Sequence, residues 1–239
     1  MSGLNYAEER AYWYLRLNGF FLLTDYVVHW NLNRSNNIAN IRYTTDIDLM
    51  GIRFPYVTED IGGREDDFDA FILNHLQEID NFSPFKPNIN KPIFVIAEVK
   101  SGDLDENELA RTINDKFSED IIRIAMHRSG IFQNVDRNDL KAITKYNHYY
   151  ASEANIVKIA FSNLPNKIYD SFINIDLLHA RRVSLKRVLK YIDEKNAGRL
   201  FFDSSYFQEY INIISSLKSS NLSQSCIEEI IDKLCNIAD

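Results

Sequence analysis

The amino-acid sequence predicts an α/β domain in which a mixed central β-sheet is flanked by helices. The predicted elements follow the order helix, three strands, helix, strand over the first two thirds of the chain. The run 93–99 is short, apolar and bounded by Pro92 and Gly102, which is typical of a buried strand. We therefore expect a core domain over residues 1–183 and a helical C-terminal extension over residues 184–239.

The first predicted elements are one helix and two stretches of strand. Residues 5–18 predict a helix that ends at Gly19, because glycine is favoured immediately after a helix. Residues 20–30 are apolar and rich in Val, Tyr and Phe, and they predict a strand. Residues 38–54 predict one or two further strands that end before Pro55.

An acidic insert separates these strands from the strand at 93–99. Residues 56–91 contain eight acidic and three basic side chains, a net charge of −5. The insert lacks the Asp, Asn and Gly spacing of a calcium-binding loop. We interpret it as a solvated acidic loop, with one helix over residues 68–79.

The chain turns helical after Gly102, and later strands complete the sheet. Ser184 is interpreted as the cap of a helix whose apolar positions recur at helical spacing. A final stretch predicts two helices with a break near residues 219–221. The predicted helices over this part are 106–127, 136–151 and 204–238, and the predicted strands are 155–162 and 172–175.

The overall charge limits the way in which this chain could meet a polyanion. It has 239 residues, of which 45% are hydrophobic and 26% charged, values that exclude a disordered chain. Its 27 basic and 34 acidic residues give a net charge of −7. This balance argues against a basic coat protein on nucleic acid, although a local basic surface remains compatible with it.

Two basic stretches are candidates for such a surface. Residues 180–200 contain seven basic and two acidic side chains, a net charge of +5. Phosphate contacts from such residues position a nucleic acid without reading its sequence. The alternative is a solvated helix face. The candidates for nucleic-acid binding are Arg181, Arg182, Lys186, Arg187 and Lys190, with Arg123 from a second stretch formed by Arg111, Lys116, Arg123, His127 and Arg128.

The sequence favours a cytoplasmic protein without a membrane partner. No window reaches the apolar length that a membrane span needs, and residues 1–16 lack the pattern of a signal peptide. Cys226 and Cys235 lie nine residues apart in a predicted helix, a spacing poorly suited to a disulfide. We interpret both as reduced cysteines in the core.

An acid and a lysine stand at the end of the predicted buried strand. Because side chains alternate along a strand, Glu98 and Lys100 share one face with Phe94 and Ile96. The spacing acid-x-Lys occurs three times in the chain, but only residues 98–100 end a buried strand. The alternative is an ordinary Glu–Lys pair at an exposed strand end.

A second strand adds carboxylates on one face. Asp46 and Asp48 alternate with apolar residues in a predicted strand next to, or antiparallel with, the one that carries Glu98. One carboxylate from each strand would then converge on a hard cation, and Mg²⁺ needs only one or two carboxylates with water and phosphate oxygens. A lysine beside such an ion can orient a water and stabilise charge on phosphorus. This set is the minimum for metal-assisted phosphodiester hydrolysis.

The first helix offers a third acid. Glu8 shares a helical stripe with Ala7, Ala11 and Leu15, which should pack on the sheet, whereas Glu9 lies to one side. The alternative is that both are first-turn acids stabilised by the helix dipole.

Three motifs in this order resemble the PD-(D/E)XK nuclease superfamily. They are the helix from Ala7-Glu8 to Gly19-Phe20, the run Asp46-Ile47-Asp48-Leu49, and the run from Phe94 to Gly102 that contains Glu98-Val99-Lys100. The resemblance covers about the first 160 residues. It is to the branch with restriction endonucleases, Holliday-junction resolvases and RecB-type nuclease domains. The resemblance implies an αβββαβ restriction-endonuclease-like core and Mg²⁺- or Mn²⁺-dependent cleavage of phosphodiesters.

The same resemblance implies a role for each site residue. Asp48 and Glu98 would be metal ligands, together with the backbone carbonyl of Val99, and Lys100 would position the attacking water. Glu8 would support the site. The expected function is an endonuclease acting on DNA in restriction, phage defence or repair, with RNA left open, as a homodimer or with a partner protein. The alternative is a catalytically inactive nuclease-fold scaffold or binding module.

Overall fold

The computed structural model of the chain describes residues 4–31, 41–55, 69–78, 91–133, 135–195, 212, 216, 219–220 and 222–235. The described residues include seven strands and seven helices. The strands are β1 (Phe21–Asn31), β2 (Ile41–Arg53), β3 (Ile93–Lys100), β4 (His148–Tyr150), β5 (Asn155–Ser162), β6 (Lys167–Ile168) and β7 (Ile173–Asp176). The helices are α1 (Tyr6–Leu17), α2 (Ala70–Glu78), α3 (Glu106–Lys116), α4 (Glu119–Ser129), α5 (Arg137–Lys145), α6 (Leu177–Lys195) and α7 (Gln224–Cys235).

The strands form one open, mixed sheet in the order β1-β2-β3-β5-β7-β6, with β4 paired to β5. The pairs β1–β2 and β2–β3 are antiparallel, whereas β3, β5 and β7 run parallel. The expected α/β class with a mixed sheet between helices is therefore confirmed. Because β3, β5 and β7 are parallel, their carboxyl ends meet at one edge of the sheet.

The sheet separates two apolar layers, and β3 contributes to both. Val95, Ala97 and Val99 pack in the layer that includes residues of α1 and α6. Phe94 and Ile96 pack in the opposite layer, with residues of α3, α4 and α5. This is the alternation that the sequence of the strand predicts. Glu98 and Lys100 therefore belong to the face covered by α3.

Helix α1 is defined at both ends by local sequence. Asn5 caps its N-terminus in a capping box with Glu8, and Gly19 follows its C-terminus with φ of 85°. Ala7, Ala11 and Leu15 are buried against the sheet. The helix predicted over residues 5–18 is confirmed.

The predicted helices after Gly102 are shorter than expected. The helix predicted over 106–127 divides into α3 and α4, because the backbone of Ser118 is extended with ψ of 157°. The helix predicted over 136–151 ends at Lys145, and residues 148–150 instead form β4 against β5. Tertiary pairing outweighs local helical preference there.

Helix α6 begins earlier than the sequence suggests. Ser184 was expected to cap the helix, but it lies inside α6 and its hydroxyl donates to the carbonyl of Ala180 at 2.8 Å. The first turn is instead closed by Asp176, whose carboxylate accepts from the N–H of Leu178 at 2.9 Å. The boundary expected between residues 183 and 184 falls inside this helix.

The described part of the acidic insert packs on the core. Asp69 is 7% exposed and Ile72 is 2% exposed, and α2 lies within the predicted helix 68–79. The interpretation as a solvated loop is therefore wrong for these residues, while 56–68 and 79–90 lie outside the described residues.

The C-terminal third is described mainly through α6 and α7. Helix α7 accounts for part of the helical stretch predicted over 204–238, most of whose remaining residues lie outside the described ones. Cys226 is a free and exposed cysteine on α7, so its expected place in the core is wrong.

Among the helices of the described ranges, none combines the length and the apolar character needed to cross a membrane.

Candidate functional site

Asp48 and Glu98 come together on one face of the sheet. Leu49 pairs with Ala97 in the antiparallel register of β2 and β3. The residue before Leu49, Asp48, therefore lies opposite the residue after Ala97, Glu98. The Nζ of Lys100 lies 3.9 Å from Oδ2 of Asp48 and 3.3 Å from Oε2 of Glu98. The expectation that these three side chains share one face is confirmed.

The backbone of β3 fixes the orientation of Asp48. The N–H of Val99 donates to Oδ2 of Asp48 at 2.6 Å. The Asp48 side chain is 12% exposed and the Glu98 side chain 1% exposed, so both carboxylates are largely shielded from water. Two acids held this way cost free energy unless a cation is present.

A second lysine enters this cluster from α3. The Nζ of Lys116 donates to Oδ1 of Asp46 at 3.0 Å, to the backbone carbonyl of Asp46 at 3.2 Å and to Oγ1 of Thr45 at 3.2 Å. It also lies 3.7 Å from Oε2 of Glu98. The sequence analysis placed Lys116 in a basic stretch and missed this role; its position in the last turn of a helix that follows the 98–100 motif was the available signal.

The electrostatics of the cluster set Glu98 apart. Burial and the neighbouring Asp48 carboxylate raise the pKa of Glu98 to about 7, against the opposing effect of Lys116 and Lys100. The hydrogen bond from Lys116 holds the pKa of Asp46 below its usual value. Although burial would lower the pKa of Lys116, the carboxylates of Glu98 and Asp46 raise it. An acid with a strongly raised pKa beside a like charge is typical of functional sites.

The donor atoms of this cluster fit a small divalent cation. Asp48 and Glu98 use Oδ2 and Oε2 for the contacts described above, and their other oxygens, Oδ1 and Oε1, take part in none of those contacts. Mg²⁺ prefers such oxygen ligands, and its charge would offset the burial and the repulsion from Asp48 that together raise the pKa of Glu98. Within the described ranges, no group of three or more His, Cys, Asp or Glu side chains is arranged to hold a metal.

The cluster is accessible from one side. The Asp46 side chain is 60% exposed, and those of Lys100 and Lys116 are about a quarter exposed, at 23% and 24%. The two lysines therefore form the rim above the buried carboxylate of Glu98. A polyanion that approaches this edge would meet these two ammonium groups beside the more exposed Asp46 carboxylate, which is paired with Lys116.

The structure gives Glu8 a local role. Its Oε2 accepts from the N–H of Asn5 at 2.9 Å and its Oε1 accepts from the Asn5 side-chain amide at 2.6 Å. Both carboxylate oxygens are thus engaged in the capping box of α1. Its neighbour Glu9, the other acid of the first helical turn, has a pKa raised by partial burial.

The basic residues of α6 make contacts within the molecule. Arg181 is 5% exposed, and Arg187 donates through Nη1 to the carbonyl of Leu17. Arg182 and Lys186 lie 3.5 Å and 3.3 Å from Oδ1 of Asp232 on α7. Contact with a nucleic acid would compete with the interactions of Arg182, Lys186 and Arg187, and burial limits such contact for Arg181.

Arg123, the candidate outside α6, is less constrained than the described basic residues of that helix. Its side chain is half-exposed, and within the described ranges it forms an ion pair with Asp120 at 3.1 Å. The side chain of Lys190 lies outside the described residues.

A third buried carboxylate, Asp69, lies in the layer of α1 and α6. Asp69 accepts hydrogen bonds from the hydroxyl of Tyr14 and from Nε2 of His179, the latter at 2.8 Å. Its backbone N–H donates to Oδ1 of Asn18 at 2.7 Å. These bonds attach the start of α2 to the core.

Comparisons with known proteins gave no match for this chain, whether by family model, by curated sequence or by solved structure. The functional assignment therefore depends on the geometry of the site.

Proposed function

We propose that this protein is a metal-dependent nuclease that hydrolyses phosphodiester bonds, with DNA as its substrate. The observation that carries the proposal is the meeting of Asp48 and Glu98 on one sheet face, with Lys100 within 4 Å of both. Two carboxylates and a lysine in this arrangement are suited to binding Mg²⁺ or Mn²⁺ and to activating water.

The order of the elements supports the proposal. Helix α1, strands β1 to β3, helix α3 and strand β5 follow the αβββαβ order of the restriction-endonuclease-like core. Helix α2 between β2 and β3, and α4, α5 and β4 between α3 and β5, would be additions to that order. The acid-x-lysine motif of residues 98–100 ends β3, the third strand in this order.

The chain's own residues would divide the chemistry among them. Asp48 and Glu98 would hold the metal, with the carbonyl of Val99 as a further oxygen ligand. When bound, the metal would supply Lewis-acid stabilisation of charge on the scissile phosphate. Lys100 would orient the attacking water and stabilise the negative charge that develops at phosphorus. Burial of Glu98 strengthens each of these electrostatic interactions because water is excluded there.

A non-catalytic scaffold is the second candidate, and one observation favours it. Lys100 and Lys116 together neutralise much of the acidic cluster, so the fold satisfies its buried Glu98 through internal ion pairs. A binding module that had no need of a metal would be stable with the same contacts. The two functions differ in whether phosphodiesters are cleaved.

The test is cleavage of linear, supercoiled and branched DNA, and of RNA, with Mg²⁺, with Mn²⁺ or with EDTA. We expect cleavage of at least one DNA in Mg²⁺, none in EDTA, and a loss of at least about 100-fold in Lys100→Ala. Lys233→Ala, which removes an exposed lysine of α7, is the matched control and should keep the wild-type rate. Wild-type rates in Lys100→Ala would refute the site, and no cleavage of any substrate would favour the scaffold.

A further inference from the structure

Lys116 is a built-in cation at the proposed metal site, and its contacts suggest a function beyond structural support. We propose that the positive charge of Lys116 replaces part of the charge that a divalent cation would bring to the cluster. Metal binding would then depend on the simultaneous presence of a substrate phosphate. This inference rests on the proposed nuclease function, because it assigns a regulatory role to a residue of the same site.

The geometry fixes the Lys116 ammonium group in place. An ammonium group has three N–H donors, and three acceptors on Thr45 and Asp46 lie within 3.2 Å of it. The position of its charge, 3.7 Å from Oε2 of Glu98, is therefore set by β2. A direct bond from Lys116 to a phosphate would require the loss of one of these hydrogen bonds, so its main effect on ligands is that of a fixed charge.

The charges of the cluster show why the metal alone would bind weakly. The carboxylates of Asp46, Asp48 and Glu98 and the ammonium groups of Lys100 and Lys116 give a net charge of −1 when all are ionised. A divalent cation changes this to +1, whereas a cation together with one phosphodiester brings it to zero. Binding of metal and phosphate should therefore be cooperative, each increasing the affinity for the other by the same factor.

Removal of the Lys116 charge should remove this dependence. In Lys116→Met the cluster carries −2, which a divalent cation alone balances. Because the Nζ of Lys116 lies 3.7 Å from Oε2 of Glu98, a divalent cation held by Glu98 would be repelled by this ammonium group at short range. Screened as in water, such repulsion is on the order of a tenfold change in affinity. We expect Mn²⁺ to bind this variant about tenfold more tightly than the wild type in the absence of nucleic acid.

The experiment measures Mn²⁺ binding by electron paramagnetic resonance, with and without a phosphorothioate-linked DNA duplex that resists cleavage. The wild type should bind Mn²⁺ more tightly with the duplex than without it, and in Lys116→Met this difference should shrink. Lys116→Arg and Lys233→Met should behave like the wild type, since the first keeps the local charge and the second removes a lysine from α7.

A second variant keeps the inference testable if Lys116→Met does not fold. Asp46→Asn removes one negative charge from the same cluster and should weaken Mn²⁺ binding without nucleic acid by about tenfold. Mn²⁺ binding to Lys116→Met that is no tighter than to the wild type, or to Asp46→Asn that is no weaker, would overturn the inference while the nuclease proposal stands. If the wild type binds no Mn²⁺ in either condition, the proposed function itself fails.

Discussion

Two buried carboxylates on opposite faces of the same sheet differ in how they are satisfied. Asp69, in the layer of α1 and α6, accepts hydrogen bonds from Tyr14 and His179, which outweigh the effect of burial and keep its pKa below the usual value. For Glu98, on the α3 face, burial and the neighbouring Asp48 carboxylate raise the pKa to about 7. Both side chains are less than 10% exposed.

The difference separates a structural acid from a candidate catalytic one. Asp69 has neutral or weakly basic donors on both sides and stabilises the position of α2. Glu98 lies between Asp48 and the ammonium groups of Lys100 and Lys116. A divalent cation would balance the two neighbouring carboxylates more fully than these lysines do. Acids whose pKa is strongly shifted and that lie beside a like charge concentrate at functional sites.

The largest expected effect is on catalysis. Glu98→Gln should reduce Mg²⁺-dependent cleavage by about 1000-fold or more, because it removes a metal ligand. Its unfolding free energy should be equal to or higher than that of the wild type, since the repulsion with Asp48 disappears. Steady-state cleavage and urea denaturation measure the two effects. Glu229→Gln on the exposed surface of α7 is the control, and equal cleavage by both variants contradicts the assignment.

The opposite pattern is expected for the structural acid. Asp69→Asn should lower the unfolding free energy by about 2–4 kcal/mol, because buried hydrogen bonds to Tyr14 and His179 are weakened or lost. Cleavage below the unfolding transition should stay within about threefold of the wild type. Urea denaturation measures the first effect and the rate of DNA cleavage measures the second, both on the same sample of purified variant. A stable variant that has lost activity would place Asp69 in the function instead.

The pH dependence of stability should also separate the two acids. The folded-state pKa of Glu98, about 7, lies above the usual 4.5. Its contribution to the free energy of unfolding is therefore fully present below pH 4.5 and is lost as the pH rises through 7. The free energy of unfolding that is lost in this way is about 3 kcal/mol at most. Asp69 has a lowered pKa, so its contribution is present above the usual pKa and is lost as the pH falls through its folded-state value.

Urea denaturation at pH 5 and pH 7.5, in EDTA, measures the Glu98 effect. The wild type should lose stability relative to Glu98→Gln as the pH rises between these values. An unchanged difference between the two proteins at both pH values would show that Glu98 is not the titrating group.

The smallest expected effect belongs to an exposed carboxylate. Asp232 lies 3.5 Å and 3.3 Å from Arg182 and Lys186, and its side chain is 43% exposed. Asp232→Asn should therefore lower the unfolding free energy by no more than about 1 kcal/mol, and by less in high salt. Thermal denaturation at two salt concentrations tests this, and a loss of 3 kcal/mol would mean that these contacts behave like a buried ion pair.

Local sequence patterns were enough to predict strands β3 and β5 and the acidic residues of the candidate site. Strand β5 was predicted over the residues that form it, and the alternation in β3 correctly placed Glu98 and Lys100 on the face of Phe94. These features depend on the two-residue period of a strand and on short-range sequence. The convergence of Asp48 and Glu98 also followed, because neighbouring strands bring matched faces together.

Long-range contacts could not be predicted in the same way. Lys116 meets Asp46 across 70 positions, and Asp69 meets His179 across 110. In the sequence, Lys116 is one of several bases on a helix and Asp69 one of many acids in the insert. The early start of α6 was missed because Asp176 is both the last residue of β7 and the residue that closes the first helical turn.

The most direct test of the central claim is the rate of Mg²⁺-dependent DNA cleavage by Asp48→Ala beside that of the wild type, with folding of both confirmed by circular dichroism. Asp48 lies on β2, so this variant leaves the acid-x-lysine motif of β3 intact and tests whether the two strands act together. We predict that cleavage by the wild type requires Mg²⁺ and falls by at least about 100-fold in Asp48→Ala. Equal rates in the two folded proteins would contradict the account.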